Sequence, residues 1–476
     1  MQRELNDLLP MRTPKFIRRV TLYSATFVVL RTLPAQQTLS PAGLTIGQAV
    51  ESALTNYPSI RVSQEQINAA AAGIQLARTA YLPRVDVLAQ VNRATRNNVF
   101  GLLLPQNVIP SMSGPVLGTN NFGTAWGGAI GTLVTWEPFD FGARSASVGA
   151  ATAARTQSEA TLKRTQFDVT VAAADAYVTL IAAQETVRAA QAGVDRAEVL
   201  SRTIGALVNA QLRPGADASR AQAELAAART QLIQAQQAVE VGRANLSQFV
   251  GVEPAQIKAS APKLLQLPPE QAVAPLDTAT NPVSVEQDAV VGQLRAQLRI
   301  LERSYFPRFY LQGSAYARGT GAEVNGTNLG GLNGLAPTTQ DYALGFTVTF
   351  PVMDRASIQA KEAGQSANIR AEAARYKQIA TDLKARWNVA VATWGGARNV
   401  AANTPVQVAA ARAATGQATA RYQAGLGNID EVAEAQRLLT QAEIDDALAR
   451  LGVWRGLLGV AAAAGDLQPF LAEAGQ

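Results

Sequence analysis

The 476-residue sequence contains no cysteine and no histidine, and only 16% of its residues are charged. Without cysteine, the chain has no disulfide, no thiol nucleophile and no thiolate ligands for zinc or iron–sulfur clusters. Without histidine, it lacks the most common general base and metal ligand. It also has no GxxxxGK(S/T) phosphate loop and no GxSxG nucleophile elbow. We therefore predict that the protein is not an enzyme and uses no cofactor and no metal.

The formal net charge of +6 is concentrated in residues 1–35. This segment holds six cations and two anions, which leaves a charge of +2 for the remaining 441 residues. The other basic residues are scattered along predicted helical faces and do not form a patch. We therefore predict no nucleic-acid partner.

Residues 1–35 have the organisation of a secretory signal peptide. The basic segment Met11–Arg19 precedes the mostly apolar run Val20–Leu30, and a small-residue site at Pro34-Ala35-Gln36 follows. We expect cleavage after Ala35, and the alternative is a short buried helix. The apolar run has 11 residues, whereas a membrane-spanning helix needs about 20. If the mature protein enters a membrane, we expect it to do so as a closed β-barrel.

The rest of the chain is an internal duplication. Residues 58–84 align with residues 282–308 at a shift of 224, and later positions align at a shift of 214, as in Asp140 with Asp354. The joint Tyr81-Leu-Pro-Arg84 recurs in this way as Tyr305-Phe-Pro-Arg308. The predicted parts are a signal peptide (1–35), an N-terminal segment (36–57), repeat 1 (58–251), a proline-rich linker (252–281), repeat 2 (282–465) and a C-terminal tail (466–476).

Each repeat begins with a predicted helix of about 23 residues and two strands. The helices start at Pro58 and Pro282, and the strands alternate apolar with more polar residues. The four strands are predicted near residues 85–92, 129–136, 309–318 and 342–350, and the loops within each pair at 101–123 and 319–339. Two ordinary hairpins on a soluble core are the alternative. Aromatic residues at the strand ends fit a membrane interface: Trp136, Phe139, Tyr305, Phe309 and Phe350.

A long helical hairpin follows the strands in each repeat. Residues 142–213 contain no proline, and apolar or small residues recur every three or four positions, as in Val171, Ala174 and Val178. About 70 helical residues span on the order of 100 Å. The second copy covers residues 354–425 and 430–465, and we expect Pro405 to kink or break its long helix. A plain coiled-coil rod is the alternative.

The strand number requires an assembly. Four strands per chain are fewer than the eight or so of the smallest membrane barrels, and a lone sheet would expose two unpaired edges to lipid. An eight-stranded dimer is too narrow for a channel, whereas a twelve-stranded trimer is wide enough. The predicted fold is an α+β membrane protein in which three chains build a transmembrane β-barrel, four strands each, and a long antiparallel α-helical barrel.

Several motifs and their duplicated order give the chain a family resemblance over residues 44–471. The motifs are Leu44-Thr-Ile-Gly-Gln-Ala-Val with Asn56-Tyr-Pro58, the two Tyr-Leu/Phe-Pro-Arg joints described above, Phe139-Asp-Phe-Gly-Ala-Arg144, and the segment Arg421-Tyr-Gln-Ala-Gly425 continuing to Gln436. They resemble the TolC-type outer-membrane efflux protein family. The resemblance implies a homotrimer in the lipid of the cell outer membrane, with its helical barrel in the periplasm. It also implies a periplasmic adaptor protein and an inner-membrane pump as partners.

The resemblance further implies a gate with acidic rings at the periplasmic helical tip. Matching the family pattern places Glu431 and Glu434 on the acidic positions, with Asp430 beside them and Asp217 in the first copy. Alternatively, acidic residues in a first helical turn simply complement the helix dipole. The family often has a basic residue where Gly427 stands, which leaves the partner of a Tyr422 latch open. The tip turns are assigned to Gly215, Gly425 and Gly427.

These observations predict a passive exit duct from periplasm to exterior, opened at its periplasmic tip by adaptor and pump. The alternative is a periplasmic coiled-coil scaffold or adaptor without a pore. The exported substrate is not encoded in these patterns, because in this architecture the pump selects it.

Overall fold

A computed structural model describes residues 43–95, 124–269, 275–323 and 329–475. The predicted signal peptide and the loop 101–123 lie outside these residues. In chain order, the helices and strands are α1 (Ile46–Asn56), α2 (Pro58–Thr79), β1 (Arg84–Thr95), β2 (Thr124–Phe139), α3 (Ala143–Asn209), α4 (Gly215–Val250), α5 (Pro282–Arg303), β3 (Arg308–Thr320), β4 (Thr339–Thr349), α6 (Arg355–Gln423), α7 (Ile429–Ala464) and α8 (Gln468–Ala474).

Both halves of the chain have the predicted element order. Helices α2 and α5 each have 22 residues and start at Pro58 and Pro282, where a proline costs no helical hydrogen bond. The long helices α3 and α6 have 67 and 69 residues, and their return helices α4 and α7 have 36 each. The duplication seen in the sequence is therefore also a duplication of secondary structure.

The four strands form one antiparallel sheet in the order β1-β2-β3-β4, so the central β2–β3 pair joins the two repeats. Register places Val87, Thr132, Ala315 and Tyr342 in one row across the sheet. The face that contains this row is apolar and exposed. Its exposed large side chains include Val85, Val87, Val91, Ile130, Leu311, Tyr342, Leu344 and Phe346.

The opposite face of the sheet is polar. It carries Gln312 and Ser314, together with an ion pair between Arg318 and Asp341 at 3.1 Å. Strands β1 and β4 are the edges of the sheet within the described chain. A sheet with one exposed apolar face and two free edges is incomplete as a soluble unit.

The helices form a single layer with open edges of their own. In the hairpin region, α4 packs on α3, α3 on α7 and α7 on α6. Nearer the sheet the order is α2, α3, α5 and α6. Within the described chain, the edge elements are therefore β1 and β4 in the sheet, α2 and α6 near the sheet, and α4 and α6 in the hairpin region, and each of them has a neighbour on one side only.

Helix α7 is the one helix among the described residues that is long and apolar enough to cross a membrane by length and composition. Half of its most apolar window is buried inside the protein. Because α7 packs between α3 and α6, we interpret it as the core helix of the layer.

The middle of the helical layer carries a belt, made of the N-terminal segment and the linker, that the sequence does not predict. Helix α1 begins with a capping box between Thr45 and Gln48. Leu44 pairs with Ala259 of the linker as a parallel bridge. The Tyr177 hydroxyl of α3 lies 2.8 and 2.9 Å from the carbonyl oxygens of Leu44 and Ser260. The N-terminal segment and the linker are thus docked on α3.

Of the expected kink or break at Pro405, the break is wrong, because α6 continues through this residue from Arg355 to Gln423. Proline removes the backbone bond to the carbonyl of Ala401. The buried Thr404 hydroxyl lies 3.5 Å from that carbonyl oxygen and 2.8 Å from Asp446 of α7. Packing against α7 and this polar contact keep the helix continuous.

Candidate functional site at the helical tips

Two equivalent turns close the helical hairpins at one end of the molecule. At the shift of 214, Gln211 of the first turn corresponds to Gly425 of the second, and both are left-handed, with φ of 60° and 75°. This conformation favours glycine. Gly215, predicted in the turn, is instead the first residue of α4. Gly427 lies inside the second turn, where an added Cβ would lie 3.1 Å from a Glu431 carboxylate oxygen.

An apolar cluster behind the turns joins the two hairpins. Its buried members are Leu200, Ile204, Ala221, Tyr422, Ile429 and Val432, which come from α3, α4, α6 and α7. Tyr422 is only 3% exposed. Because its ring is anchored in this cluster, its hydroxyl is held in a fixed position at the tip.

Tyr422 connects the second hairpin to the first through two residues. Its hydroxyl donates a hydrogen bond of 2.9 Å to Asp217 Oδ2. The guanidinium of Arg213 lies 4.3 Å from the centre of its ring and donates to its backbone carbonyl. We call Tyr422, Asp217 and Arg213 the tip latch. It ties the hairpin α6–α7 to the hairpin α3–α4.

Arg213 is a tip residue that the sequence patterns used above do not identify, although the duplication indicates it. At the shift of 214, Arg213 is the equivalent of Gly427, the position where the family resemblance often implies a basic residue. The positive charge thus stands in the first turn instead of the second. Comparing the two turns residue by residue would have identified it.

The latch is electrostatically consistent with a neutral tyrosine. Burial raises the pKa of Tyr422, and the hydrogen bond to Asp217 and the negative charge of that carboxylate raise it further, while Arg213 acts in the opposite direction. The phenol therefore stays protonated, and able to donate, across the physiological pH range.

The predicted acidic residues at the tip are paired with arginines. Asp430 Oδ1 lies 3.2 Å from Arg220, Glu431 Oε2 lies 3.6 Å from Arg421, and Glu434 is bonded to Arg437. Arg220 and Arg437 also contact a further carboxylate, Glu224 of α4, at 3.4 and 3.8 Å. With Asp217 and Arg213 included, this group has five acids and four arginines, a net charge of −1 per chain over these nine side chains.

Asp217, Asp430 and Glu431 also occupy the first turns of α4 and α7. In those positions their negative charges interact favourably with the positive ends of the helix dipoles. The backbone N–H of Glu431 donates to the Asn428 side chain, which caps α7. The same residues thus stabilise the helix ends and set the charge of the tip. Among the described residues, no group of acidic side chains is arranged to hold a metal ion.

The predicted interfacial aromatics lie at the opposite end of the long helices, where the sheet begins. Phe139 and Phe309 belong to one aromatic cluster with Phe141, Phe306 and Phe346, with ring centres 4.6 to 6.1 Å apart. The other three are arranged differently. Trp136 donates to the carbonyl of Tyr81, Tyr305 donates to Glu362, and Phe350 is exposed.

A buried ion pair supports this junction. Asp140 and Arg144 are both 8% exposed, and their side chains meet at 2.8 Å. The Arg144 guanidinium also lies 4.7 Å from the ring centre of Tyr81. The pair fixes the start of α3 against the first helix-to-strand joint.

The fold is shared with solved outer-membrane channels. The CmeC channel of Campylobacter jejuni is 15% identical, with a TM-score of 0.70 over 88% of this chain and 85% of that one. VceC of Vibrio cholerae is 17% identical, with a TM-score of 0.68 over 88% of this chain and 96% of that one. The open state of MtrE of Neisseria gonorrhoeae is 19% identical, with a TM-score of 0.69 over 88% of this chain and 89% of that one. No curated protein sequence matches significantly.

A sequence profile described as outer membrane efflux protein matches residues 49–252 and 281–466, which is most of the chain. This match confirms the family resemblance and the outer-membrane localisation predicted from the sequence. The family is one of efflux channels and not of enzymes. The chain therefore belongs to the outer membrane efflux protein family.

Proposed function

We propose that three copies of the chain form a passive exit duct that opens at the helical tips. In this proposal the duct is the outer-membrane part of a tripartite efflux system, with a periplasmic adaptor and an inner-membrane pump as partners. The observation that carries it is the combination of an exposed apolar sheet face with open edges at every level of the molecule. Family membership makes a scaffold without a pore the weaker alternative.

The edges favour a closed ring. Each copy has different edges on its two sides, β1 and β4 in the sheet and α4 and α6 in the hairpins. Joining unlike edges around a rotation axis gives a ring with no free edge, which a lipid environment requires. Three copies supply twelve strands, enough for an aqueous lumen. The polar face with Arg318 and Asp341 would line this lumen.

The basic test is reconstitution of the purified full-length protein. A trimer that resists dissociation in detergent without heating, fractionates with the outer membrane and conducts ions in planar bilayers supports the duct. A soluble elongated protein that produces no conductance contradicts it.

The assignment of the two sheet faces predicts opposite effects of arginine at neighbouring positions. Leu344 is 78% exposed on the apolar face, and Ala343 lies on the polar face. We expect Leu344→Arg to destabilise the inserted protein by about 2–4 kcal/mol, the cost of arginine on a lipid-facing strand near the bilayer centre, and Ala343→Arg to be tolerated. The measurement is the yield of heat-modifiable trimer in outer membranes. Equal yields for the two variants would show that the faces are wrongly assigned.

The tip charges predict the ion selectivity of the duct. Glu431→Gln together with Glu434→Gln raises the charge by two per chain, from −1 to +1 over the nine charged side chains named above. Charge rings at a constriction select ions of opposite sign. We expect the reversal potential in a KCl gradient to shift from cation toward anion preference. The control is Glu51→Gln, which removes the same kind of charge from an exposed position on α1, outside the two hairpins. An unchanged reversal potential in the double variant would exclude these residues from the selectivity site.

A further inference from the structure

The two repeats within one chain meet at a seam between α3 and α7. Arg455 of α7 forms a two-point ion pair with Asp175 of α3, with N···O distances of 2.8 and 2.9 Å. Its guanidinium also lies 3.4 Å from the Thr179 hydroxyl. Further toward the tip, Arg196 of α3 pairs with Glu443 of α7 at 2.9 Å. The seam within the chain is therefore fastened by charged groups.

The duplication maps this seam onto the two open edges of the helical layer. At the shift of 214, Asp175 corresponds to Val389 on α6, and Arg455 corresponds to Val241 on α4. Both valines are exposed in the single chain, by 66% and 52%. The second ion pair has no equivalent pair either, because Arg196 and Glu443 correspond to Ala410 and Arg229, and Arg229 pairs with Glu198 of its own chain.

We propose that neighbouring copies pack α4 of one against α6 of the next through Val241 and Val389, so that an aliphatic seam between chains replaces the ionic seam within each chain. The proposal rests on the assembly proposed above and identifies its contacts. The occupant of both open edges is a second copy, because the chain already contains the equivalent helix pair in the required antiparallel arrangement.

A second pair of exposed residues fits the same register. Along the seam within the chain, the contact moves from Asp175 with Arg455 to Gly193 with Thr440, where an added glycine Cβ would lie 2.9 Å from the Thr440 hydroxyl oxygen. Between these two contacts α3 advances by 18 residues and α7 by 15, a difference of three. The same difference of three relates Val389 with Val241 to a second exposed pair, Val400 with Ile233, which lies 11 residues further on α6 and 8 residues further on α4.

The chemistry of the seam explains why these side chains are exposed in the single chain. β-Branched aliphatic side chains on a helix that is wet on both sides gain no burial unless another surface covers them. At the equivalent position inside the chain, a solvated ion pair needs no such cover. An apolar seam also differs from the ionic seam in its response to salt, because screening weakens only the ionic one.

The absence of cysteine from the chain permits a direct crosslinking test. Val241→Cys with Val389→Cys should give covalent dimers and trimers on oxidation, visible on a non-reducing gel. Each single cysteine variant should stay uncrosslinked. Val241→Cys with Val406→Cys is the register control, because Val406 is exposed on the same helix but about 25 Å further along it.

The outcomes separate the seam from the duct. Crosslinking of the matched pair and not of the register control supports the seam. A conducting trimer in which the matched pair stays uncrosslinked, or crosslinks no better than the control, overturns the seam and leaves the duct intact. A wild-type protein that forms no trimer and no conductance overturns the proposed function itself.

A charge transplant gives a second test that does not depend on disulfide geometry. Val389→Asp should reduce the fraction of trimer surviving at a fixed temperature at least tenfold, because it places a carboxylate where the proposed seam buries an aliphatic side chain. Adding Val241→Arg recreates the ion pair found between Asp175 and Arg455 and should restore most of the trimer. This rescue should weaken as salt is raised. A double variant no more stable than Val389→Asp alone overturns the register.

Discussion

Replacing Tyr422 with phenylalanine and Arg213 with leucine in the same chain is expected to open the periplasmic end of the duct. The hydrogen bond to a charged acceptor contributes about 1.5–3 kcal/mol, and the cation–π contact contributes about 0.5–2 kcal/mol. A loss of about 2 kcal/mol in each of three chains sums to about 6 kcal/mol. That is enough to shift a closed–open equilibrium by roughly four orders of magnitude.

The measurement is single-channel conductance in planar bilayers, which should rise several-fold in the double variant. Phenylalanine keeps the ring in its apolar cluster, so the change tests the latch and not the packing of the tip. Tyr376→Phe, on the same helix and about 46 residues from the turn along α6, is the matched control. A double variant with an intact trimer and wild-type conductance would show that the latch does not hold the tip closed.

The same latch should give the tip an alkaline response. Because the pKa of Tyr422 is raised in the folded protein, its contribution to the closed state is complete below about pH 10, the ordinary pKa of tyrosine. It is lost as pH rises through the higher folded value. Ionised Tyr422 would face the carboxylate of Asp217. The wild type should therefore open more readily at strongly alkaline pH, and Tyr422→Phe should lack that component.

Arg144→Leu is expected to give the largest loss of stability among single substitutions at the junction of sheet and helices. It leaves the Asp140 carboxylate buried without its charged partner, and breaking a buried pair in this way costs about 3–5 kcal/mol. Burial opposes ionisation of Asp140, but the hydrogen bonds and charge from Arg144 lower the pKa of this carboxyl overall. In the wild type this contribution is therefore present above about pH 4 and lost as pH falls below it.

The temperature at which the trimer dissociates in detergent measures this loss. Arg155→Leu is the control, because it removes the same chemistry from an exposed i,i+4 pair with Glu159 on the same helix, where about 0–1 kcal/mol is expected. Adding Asp140→Asn to Arg144→Leu removes the unpaired charge and should recover part of the stability. Equal effects of Arg144→Leu and Arg155→Leu would contradict a structural role for the buried pair.

The duplication made the main elements predictable, because periodicity and proline positions recur in both copies. Helix α1 is not predicted from the sequence, because its 11 residues are too few to show a periodic pattern. It packs against α3 and α4. The outcome at Pro405 depended on Thr404 and Asp446 from another helix. Local propensity describes a helix in isolation, and here tertiary packing decided the result.

At the candidate site, too, the sequence predicts the residues but not their tertiary contacts. Tyr422 and Asp217 were selected from the sequence, but the distance between them became evident only when two hairpins 205 residues apart in sequence came together. The sequence places the acidic residues at the tip but does not show that Arg220, Arg421 and Arg437 pair with them. Single-residue patterns identify the charge of each side chain and not its neighbours, so the net charge of the tip required the structure.

The belt at the middle of the helices has a mechanical consequence. Tyr177 lies beside the midpoint of α3, and its contacts hold the N-terminal segment and the linker there. Trp454 of the neighbouring α7 donates to the linker carbonyl of Gln266 at 2.8 Å. Both repeats are thus held together near the middle of the long helices. If the tips open as proposed, we expect the movement to be confined to the hairpins between the belt and the tips, while the sheet beyond the belt keeps its register.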